Sequence, residues 1–404
     1  MNRTPEHIDP RSKHDHDEDT VQSSRGPVMV CMGTSPEVIK LAPVLEAMAA
    51  HESLEAFIVT NAEDRHAFDA TRATFGITTH LDIDVMSARH SLHDLTSATI
   101  SAMGDAINAV NPSAVLVQGD STTALSAALA AAYAGVPVAH VEAGLRSGDR
   151  TSPFPEELNR RAISAIADVH LCPTASAAEN LLDEGVDPMD VFVTGNTVVD
   201  SLHKMRALSW NGPPLLDVPE RRCEQRVVVT MHRRETRGRV QTELLRMLAR
   251  VIDQQPEVEI VMPVNLHPDV RRNVVDELGG CDRIHLTAPL DYRAFVSLLQ
   301  SADLILTDSG GLQEEGPALS VPVLVMRDVT ERPEGIEAGG VRLCGTDPHA
   351  VEECVLDLLR DPGEMLRMAA APNPYGDGFA AQRIVQVLAS RVTSEHTTEQ
   401  SETK

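Results

Sequence analysis

The sequence predicts an α/β fold with parallel sheets, and two features carry that expectation. Short runs of Val, Leu, Ile and Ala recur along the chain, apolar throughout rather than alternating. Such runs suit strands buried on both faces, in a sheet covered by helices. Longer segments with helical spacing separate them, and Gly- or Asp-containing turns follow several of the runs.

The first expected strand is Pro27-Val28-Met29-Val30-Cys31-Met32. The turn Gly33-Thr34-Ser35-Pro36-Glu37 follows, then a helix from Val38 to Ala50 carrying Lys40. Glu55 to Thr60 is a second strand. Ala114 to Val117 is a third, ending at Gln118-Gly119-Asp120 and leading into an Ala-rich helix from Thr122 to Ala134. Val136 to Val141 is the next and ends at Glu142-Ala143-Gly144.

Trp210-Asn211-Gly212-Pro213-Pro214 has the composition of a linker. A second series follows, with strands at Arg226 to Thr230, Glu259 to Met262, Arg283 to Leu286, Leu304 to Leu306 and Val323 to Val325. Asn373-Pro374-Tyr375-Gly376 interrupts the next helix, and Phe379 to Leu388 begins another. The expected organisation is a disordered acidic arm at 1–25, α/β domains at 26–205 and 206–374, and a flexible tail at 393–404. The helix within 375–392 is expected to pack back on the first domain.

A net charge of −25 argues against a nucleic-acid surface, which needs a basic face. It still allows a small basic pocket for one diphosphate. Six cysteines without a CxxC pair suit a reducing compartment. No basic and apolar leader or membrane-length run is seen, so the expected location is the cytoplasm, with no membrane partner. His14-Asp15-His16-Asp17 could suggest a metal, but a solvated arm accounts for it, and no metal is expected.

The polar groups worth attention cluster after the expected strands, where open α/β sheets bind ligands. Ser309-Gly310-Gly311 joins a strand to a helix, with Glu315 one turn in. Its N–H groups could hold phosphate and Glu315 a diol, or the segment is an ordinary turn and cap. His232 and Arg233 follow Thr230 and could neutralise a diphosphate, or form a salt-bridged loop. Asp120, Glu142 and Glu156 could converge and divide acid and base roles. Glu156, Asn159 and Arg160 are spaced for one face of a helix opened by Pro155. His267 either lines the cleft or ends a strand. Neither a Gly-x-Gly dinucleotide signature nor a GxxxxGK[ST] loop is present, so no cofactor is expected.

At these residues the chain resembles the non-hydrolysing UDP-N-acetylglucosamine 2-epimerase family. The matching segments run from Gly33 to about Gly378. They include Gly33-Thr34 with Pro36-Glu37 and Lys40, Gly119-Asp120, His140-Val141-Glu142-Ala143-Gly144-Leu145-Arg146, and Pro155-Glu156-Glu157. His232-Arg233-Arg234-Glu235, Asp308-Ser309-Gly310-Gly311, Thr330-Glu331-Arg332-Pro333-Glu334 and Asn373-Pro374-Tyr375-Gly376-Asp377-Gly378 continue the match.

The resemblance implies a GT-B-like fold, two Rossmann-like domains facing across a cleft, and a homodimer. It implies interconversion of UDP-N-acetylglucosamine and UDP-N-acetylmannosamine. UDP would leave by elimination, giving a 2-acetamidoglucal, and then add back. Asp120, Glu142, Glu156 and His232 take the catalytic positions by this resemblance. Lys40, Arg146, Arg160, Arg233, His267, Ser309, Gly310, Gly311, Glu315 and Arg327 take substrate-binding ones. Clustered carboxylates titrate as a set, so base and acid are not apportioned among them.

Several positions depart from the family pattern. Ser35 stands where the family has arginine, removing a bidentate phosphate ligand; either Lys40, Arg65, Arg89 or Arg146 compensates, or the bound group differs. Gln118 replaces a histidine, Met231 a glycine, and His267 and Asn265 are exchanged. Ala62-Glu63-Asp64-Arg65-His66 does not keep the element of a second, activating substrate site. Rival readings are a hydrolysing epimerase releasing UDP and N-acetylmannosamine, an epimerase for another nucleotide sugar, a glycosyltransferase, and a non-catalytic nucleotide-sugar-binding protein.

Overall fold

A computed structural model describes residues 26–85, 91–211, 218–231, 238–264 and 268–394. Strands β1 (Val28–Met32), β2 (Ala56–Thr60), β3 (Leu81–Asp82), β4 (Ala114–Gln118), β5 (Val138–Val141), β6 (Val169–Cys172) and β7 (Val191–Val193) form one sheet. Strands β8 (Gln225–Thr230), β9 (Val258–Pro263), β10 (Ile284–Thr287), β11 (Leu304–Thr307), β12 (Val323–Val325) and β13 (Val341–Leu343) form the other. The orders are β3-β2-β1-β4-β5-β6-β7 and β10-β9-β8-β11-β12-β13, with every pairing parallel. Both orders reverse direction beside their first strand, the topological switch point where such sheets bind ligands.

Strands β3, β6, β7 and β13 add to those expected from sequence. Three of them, Leu81-Asp82, Val191-Phe192-Val193 and Val341-Arg342-Leu343, are too short to register as apolar runs. In β6, His170 interrupts the run yet is buried.

The first half contains helices α1 (Ser35–Ala49), α2 (Arg65–Phe75), α3 (Leu92–Val110), α4 (Thr122–Tyr133), α5 (Glu156–Ser164), α6 (Ala175–Asp183) and α7 (Thr197–Asn211). The second contains α8 (Arg239–Gln254), α9 (Pro268–Leu278), α10 (Tyr292–Gln300), α11 (Leu312–Ala318), α12 (Pro333–Glu337), α13 (Pro348–Arg360) and α14 (Pro362–Ala369), and α15 (Ala380–Ser394) closes the chain's helical part. Helix α1 starts before the expected Val38 because Thr34 and Glu37 form a capping box, with Pro36 in the first turn.

Residues within β1 alternate between two cores. Val28, Val30 and Met32 pack with Val38 and Leu41 of α1 and Ile384 and Leu388 of α15. Met29 and Cys31 pack on the other face with Met103 and Ile107 of α3 and the alanines of α4. The second sheet is covered in the same way, by Leu244 and Leu248 of α8 on one face and Leu298 of α10 on the other.

Helix α7 extends to Asn211, so Trp210 and Asn211 are helical rather than linker; residues 212–217 lie outside the described ones. Its Leu202 and Met205 pack against Tyr292 and Val296 of α10, and its Ser201 hydroxyl donates to the Ile39 carbonyl of α1. One helix therefore touches both halves. Nearby, Asp200 accepts from the backbone N–H groups of Ala380 and Ala381 at 3.3 and 2.9 Å, which caps α15. Among the described residues, no helix is long and apolar enough to cross a membrane.

The turn after β5 depends on Gly144. Its φ is +88°, and a Cβ there would lie 2.0 Å from the Ala177 carbonyl oxygen of α6. Gly144→Ala should therefore destabilise the fold by about 3 kcal/mol or more, combining backbone strain with overpacking. Urea unfolding checks this; a midpoint unchanged from wild type would refute it.

Candidate active site

The site is built at the C-terminal edge of the first sheet. Asp120 follows β4, Glu142 follows β5, and Glu156 opens α5. Two neighbours hold Asp120 directly, and a third holds the preceding residue, Gly119. Arg160 binds its carboxylate through Nε at 3.2 Å and through Nη2, and Asn159 donates to its carbonyl at 2.9 Å. His140 Nε2 lies 2.8 Å from the carbonyl of Gly119. Burial pushes the His140 pKa down to about 3, so the ring is neutral. A carbonyl only accepts, so Nε2 carries the proton.

The spacing of α5 brings Asn159 and Arg160 to Asp120, but the anchor of that face is Glu157. Its buried carboxylate receives Arg160 at 2.7 Å, Arg161 at 2.9 Å and the Ser147 N–H at 2.9 Å. Glu156 is half-buried, and its Oε2 is enclosed without a hydrogen-bond partner.

Glu142 has the most unusual setting. Its φ is +65°, a left-handed conformation costing a non-glycine residue about 1–2 kcal/mol. Its Oε2 lies 2.5 Å from Lys40 Nζ and accepts from Gln118, while Oε1 accepts from Arg332 at 3.0 Å. Lys40 also lies 2.8 Å from Glu314 Oε2, an ion pair without hydrogen-bond geometry, and Arg332 Nε donates to Glu314 Oε1 at 2.5 Å. Lys40 and Glu142 belong to the first half, Glu314 and Arg332 to the second, so this ring of charges joins both across the cleft.

The charges are strongly desolvated, with side-chain exposures of 1 to 8 %. Burial and the nearby Glu314 raise the Glu142 pKa, against the pull of Lys40 and Arg332. Burial also acts to raise that of Glu314, but Arg332 and Lys40 outweigh it and hold the carboxyl below its ordinary range. Arg332 completes its bonding through Glu331, which also receives Arg327 at 2.9 Å.

In the second half, Ser309 N–H donates to the Thr307 hydroxyl at 2.9 Å and Gln313 donates to the Ser309 carbonyl at 3.3 Å. Gly310 is required by close approach: a Cβ there would sit 2.8 Å from Arg332 Nη1 and 3.1 Å from Glu331 Oε1. Gly311 caps α11, and in its first turn the Gln313 N–H donates to the Gly310 carbonyl at 3.2 Å and the Glu314 N–H to the Gly311 carbonyl at 2.9 Å. Glu315 is buried, accepts from Tyr292 at 2.8 Å, and has its pKa pushed up to about 7 by burial.

Of the site residues expected from sequence, Lys40, Asp120, Glu142, Glu156, Arg160, Ser309, Gly310, Gly311, Glu315 and Arg327 lie on the facing edges of the two halves. Arg146 is not brought into the Glu142 group. Its guanidinium is held by Glu184, the C-cap of α6, at 2.6 and 2.8 Å and by Ser164 at 3.0 Å. Arg65, a suggested replacement for the family arginine at Ser35, binds Asp82 and Asp84 instead. His232, Arg233, His267 and Arg89 lie outside the described residues.

Sequence reasoning missed Glu157, Glu314, Glu331 and Arg332 as site groups. Each lies beside a candidate in a charge-dense segment, a pattern that usually marks a solvated face. Glu314 lies within α11 and Arg332 just before α12, so neither follows directly on an apolar run that would have marked it. Among the described residues, no group of three or more His, Cys, Asp or Glu side chains could hold a metal ion.

Glu37 gives the site a pH dependence. Its buried carboxylate accepts from Gly33 and Thr34 N–H and from the Ser121 hydroxyl, tying the first loop to the loop of Asp120. Burial raises its pKa from 4.5 to about 7, against those hydrogen bonds. Because the folded value is raised, the stabilisation is full below the unfolded value and is lost as pH rises through about 7. From pH 5 to pH 8 this group should withdraw up to about 3 kcal/mol. Urea unfolding should therefore show a shallower decline for Glu37→Gln than for wild type; equal declines would refute the assignment.

Fold and site together define a GT-B-like protein: two Rossmann-like domains facing across a cleft lined with buried, paired charges. The family model described as UDP-N-acetylglucosamine 2-epimerase matches residues 46–389. A UDP-N-acetylglucosamine 2-epimerase of Bacillus subtilis is 41 % identical over 361 residues, covering 89 % of this chain and 94 % of that protein. The chain belongs to the UDP-N-acetylglucosamine 2-epimerase family. Among solved structures, a Listeria monocytogenes protein described as a UDP-N-acetylglucosamine 2-epimerase is similar, with TM-score 0.84 and 41 % identity, covering 92 % of this chain and 97 % of that one. The Neisseria meningitidis UDP-GlcNAc 2-epimerase bound to UDP-GlcNAc has TM-score 0.83 and 36 % identity, covering 90 % and 100 %.

Proposed function

We propose that this protein is an enzyme that interconverts UDP-N-acetylglucosamine and UDP-N-acetylmannosamine without net hydrolysis. The observation that carries the proposal is Glu142: a buried glutamate in a left-handed backbone conformation, held between Lys40 and Arg332. Backbone strain at a desolvated charge is commonly found where a side chain must be aimed at a reacting group. Family membership and the nucleotide-sugar complex of the Neisseria relative support the choice of substrate.

In this reading the C2 proton passes to a member of the set Asp120, Glu142 and Glu156. The C1–O bond breaks with its electron pair leaving on UDP, and a C1=C2 double bond forms in the 2-acetamidoglucal. UDP then adds back at C1 while C2 takes a proton on its opposite face. Glu156, with an unpartnered buried oxygen, suits direct contact with substrate. Asp120, fixed by Arg160, Asn159 and the His140-held peptide, suits a role that needs fixed geometry.

His232 is assigned to the departing UDP, and Arg233 and Arg327 to nucleotide contacts. Ser309, Gly310 and Gly311 would receive phosphate and Glu315 the ribose, where a diol could replace Tyr292. Domains at 26–205 and 206–374 and a homodimer belong to the same proposal.

Proton NMR of the purified protein with UDP-N-acetylglucosamine in D2O is the test. Deuterated UDP-N-acetylmannosamine is expected. Free N-acetylmannosamine with UDP would select the hydrolysing reaction, and the absence of both exchange and product would reject the standard substrate. Glu142→Gln and Asp120→Asn should each lower kcat at least about 100-fold, with UDP binding retained by calorimetry. Full turnover in either variant would remove that residue from the chemistry.

A further inference from the structure

The ring formed by Lys40, Glu142, Arg332 and Glu314 has an arrangement that the reaction scheme does not itself require. Each carboxylate presents one oxygen to the lysine and the other to the arginine. Two links, Lys40–Glu142 and Arg332–Glu314, lie within one half of the molecule. The other two, Lys40–Glu314 and Glu142–Arg332, cross the cleft. Separating the halves would break only the crossing links and leave Glu142 with Lys40 and Gln118 as its partners.

We infer that Glu314 and Arg332 are positioning residues that set the proton affinity of Glu142 from the opposite domain, so that cleft closure completes its charge environment. This rests on the reading of Glu142 as a proton-transfer group. The groups facing Glu142 are Lys40 from α1, the uncharged Gln118 amide from β4, Glu314 from α11, and Arg332 before α12. Glu331 lies behind Arg332 and binds it in turn, and the Arg160 guanidinium interacts with the charges of both.

The two second-domain charges act in opposite directions. Glu314 competes with Glu142 for the same two cations and disfavours its ionised form, whereas Arg332 favours that form directly. Gln118 sharpens the arrangement. It stands where the family resemblance leads one to expect histidine, and its amide donates to Glu142 without being able to exchange a proton at neutral pH.

The pH dependence of C2 exchange, measured for wild type, Glu314→Gln, Arg332→Gln and Arg332→Lys, tests this. The Glu142 limb should move down by about one pH unit or more in Glu314→Gln and up by a similar amount in Arg332→Gln. Arg332→Lys should return it towards the wild-type position. Rates lowered uniformly at all pH, or limbs moved in the same direction by the two neutralising variants, would overturn the inference.

Small-angle scattering of the ligand-free protein provides a readout that needs no turnover. Both neutralising variants remove a crossing link and should enlarge the particle, while Arg332→Lys should not. Unchanged dimensions in both would overturn the cross-domain role. Failure of the activity reading looks different: wild type itself would exchange no deuterium at any pH.

Discussion

Charged groups lose several kcal/mol of hydration on burial, and the cleft depends on how that loss is offset. No single charge in the Lys40–Glu142–Arg332–Glu314 ring could occupy this dry junction alone. Together they are neutral, and each carboxylate meets two cations. The packing around them follows from this. Gly310 lacks a side chain because Arg332 and Glu331 fill its space, and Gly144 closes the turn that aims Glu142. Buried ion pairs contribute little net stability, so their presence here is better explained by the state they impose on one carboxylate than by rigidity.

The fold supplies the setting through its two parallel sheets. Each strand ends at the same edge, and each sheet reverses its order next to its first strand. Side chains that are far apart in sequence, such as Lys40 and Glu314, meet because both follow strands at such an edge. Helix α7 and the return of α15 hold the two sheets as neighbours, with Asp200 capping α15 and the Tyr375 carbonyl accepting from Asn196 at 2.8 Å. The site is thus a product of topology, and its charge balance is a product of contact between the halves.

None of the four ring residues is among the departures from the family pattern. Ser35 introduces no cation, and Arg65 and Arg146 are bound to their own carboxylates. Gln118 keeps a hydrogen bond to Glu142 but brings no charge. Ser35 therefore removes a cation from the first loop, and Gln118 places a neutral donor beside Glu142.

By itself, the sequence determined the parallel α/β class, the long strands, and Asp120, Glu142 and Glu156 as candidates, with Lys40 added only by the family resemblance. These are local properties: apolar runs of sufficient length, and turn residues placed after them. Short strands such as β7 and β13 escaped because two or three residues carry no period, and Trp210 and Asn211, expected as linker, are instead the end of α7. Only the tertiary structure decided that Arg146 turns away to Glu184, that Glu157 anchors Arg160, and that Glu314 and Arg332 complete the surroundings of Glu142. The reason is physical: whether a charge is solvated or paired depends on what faces it across the cleft, and no local pattern in the chain records that.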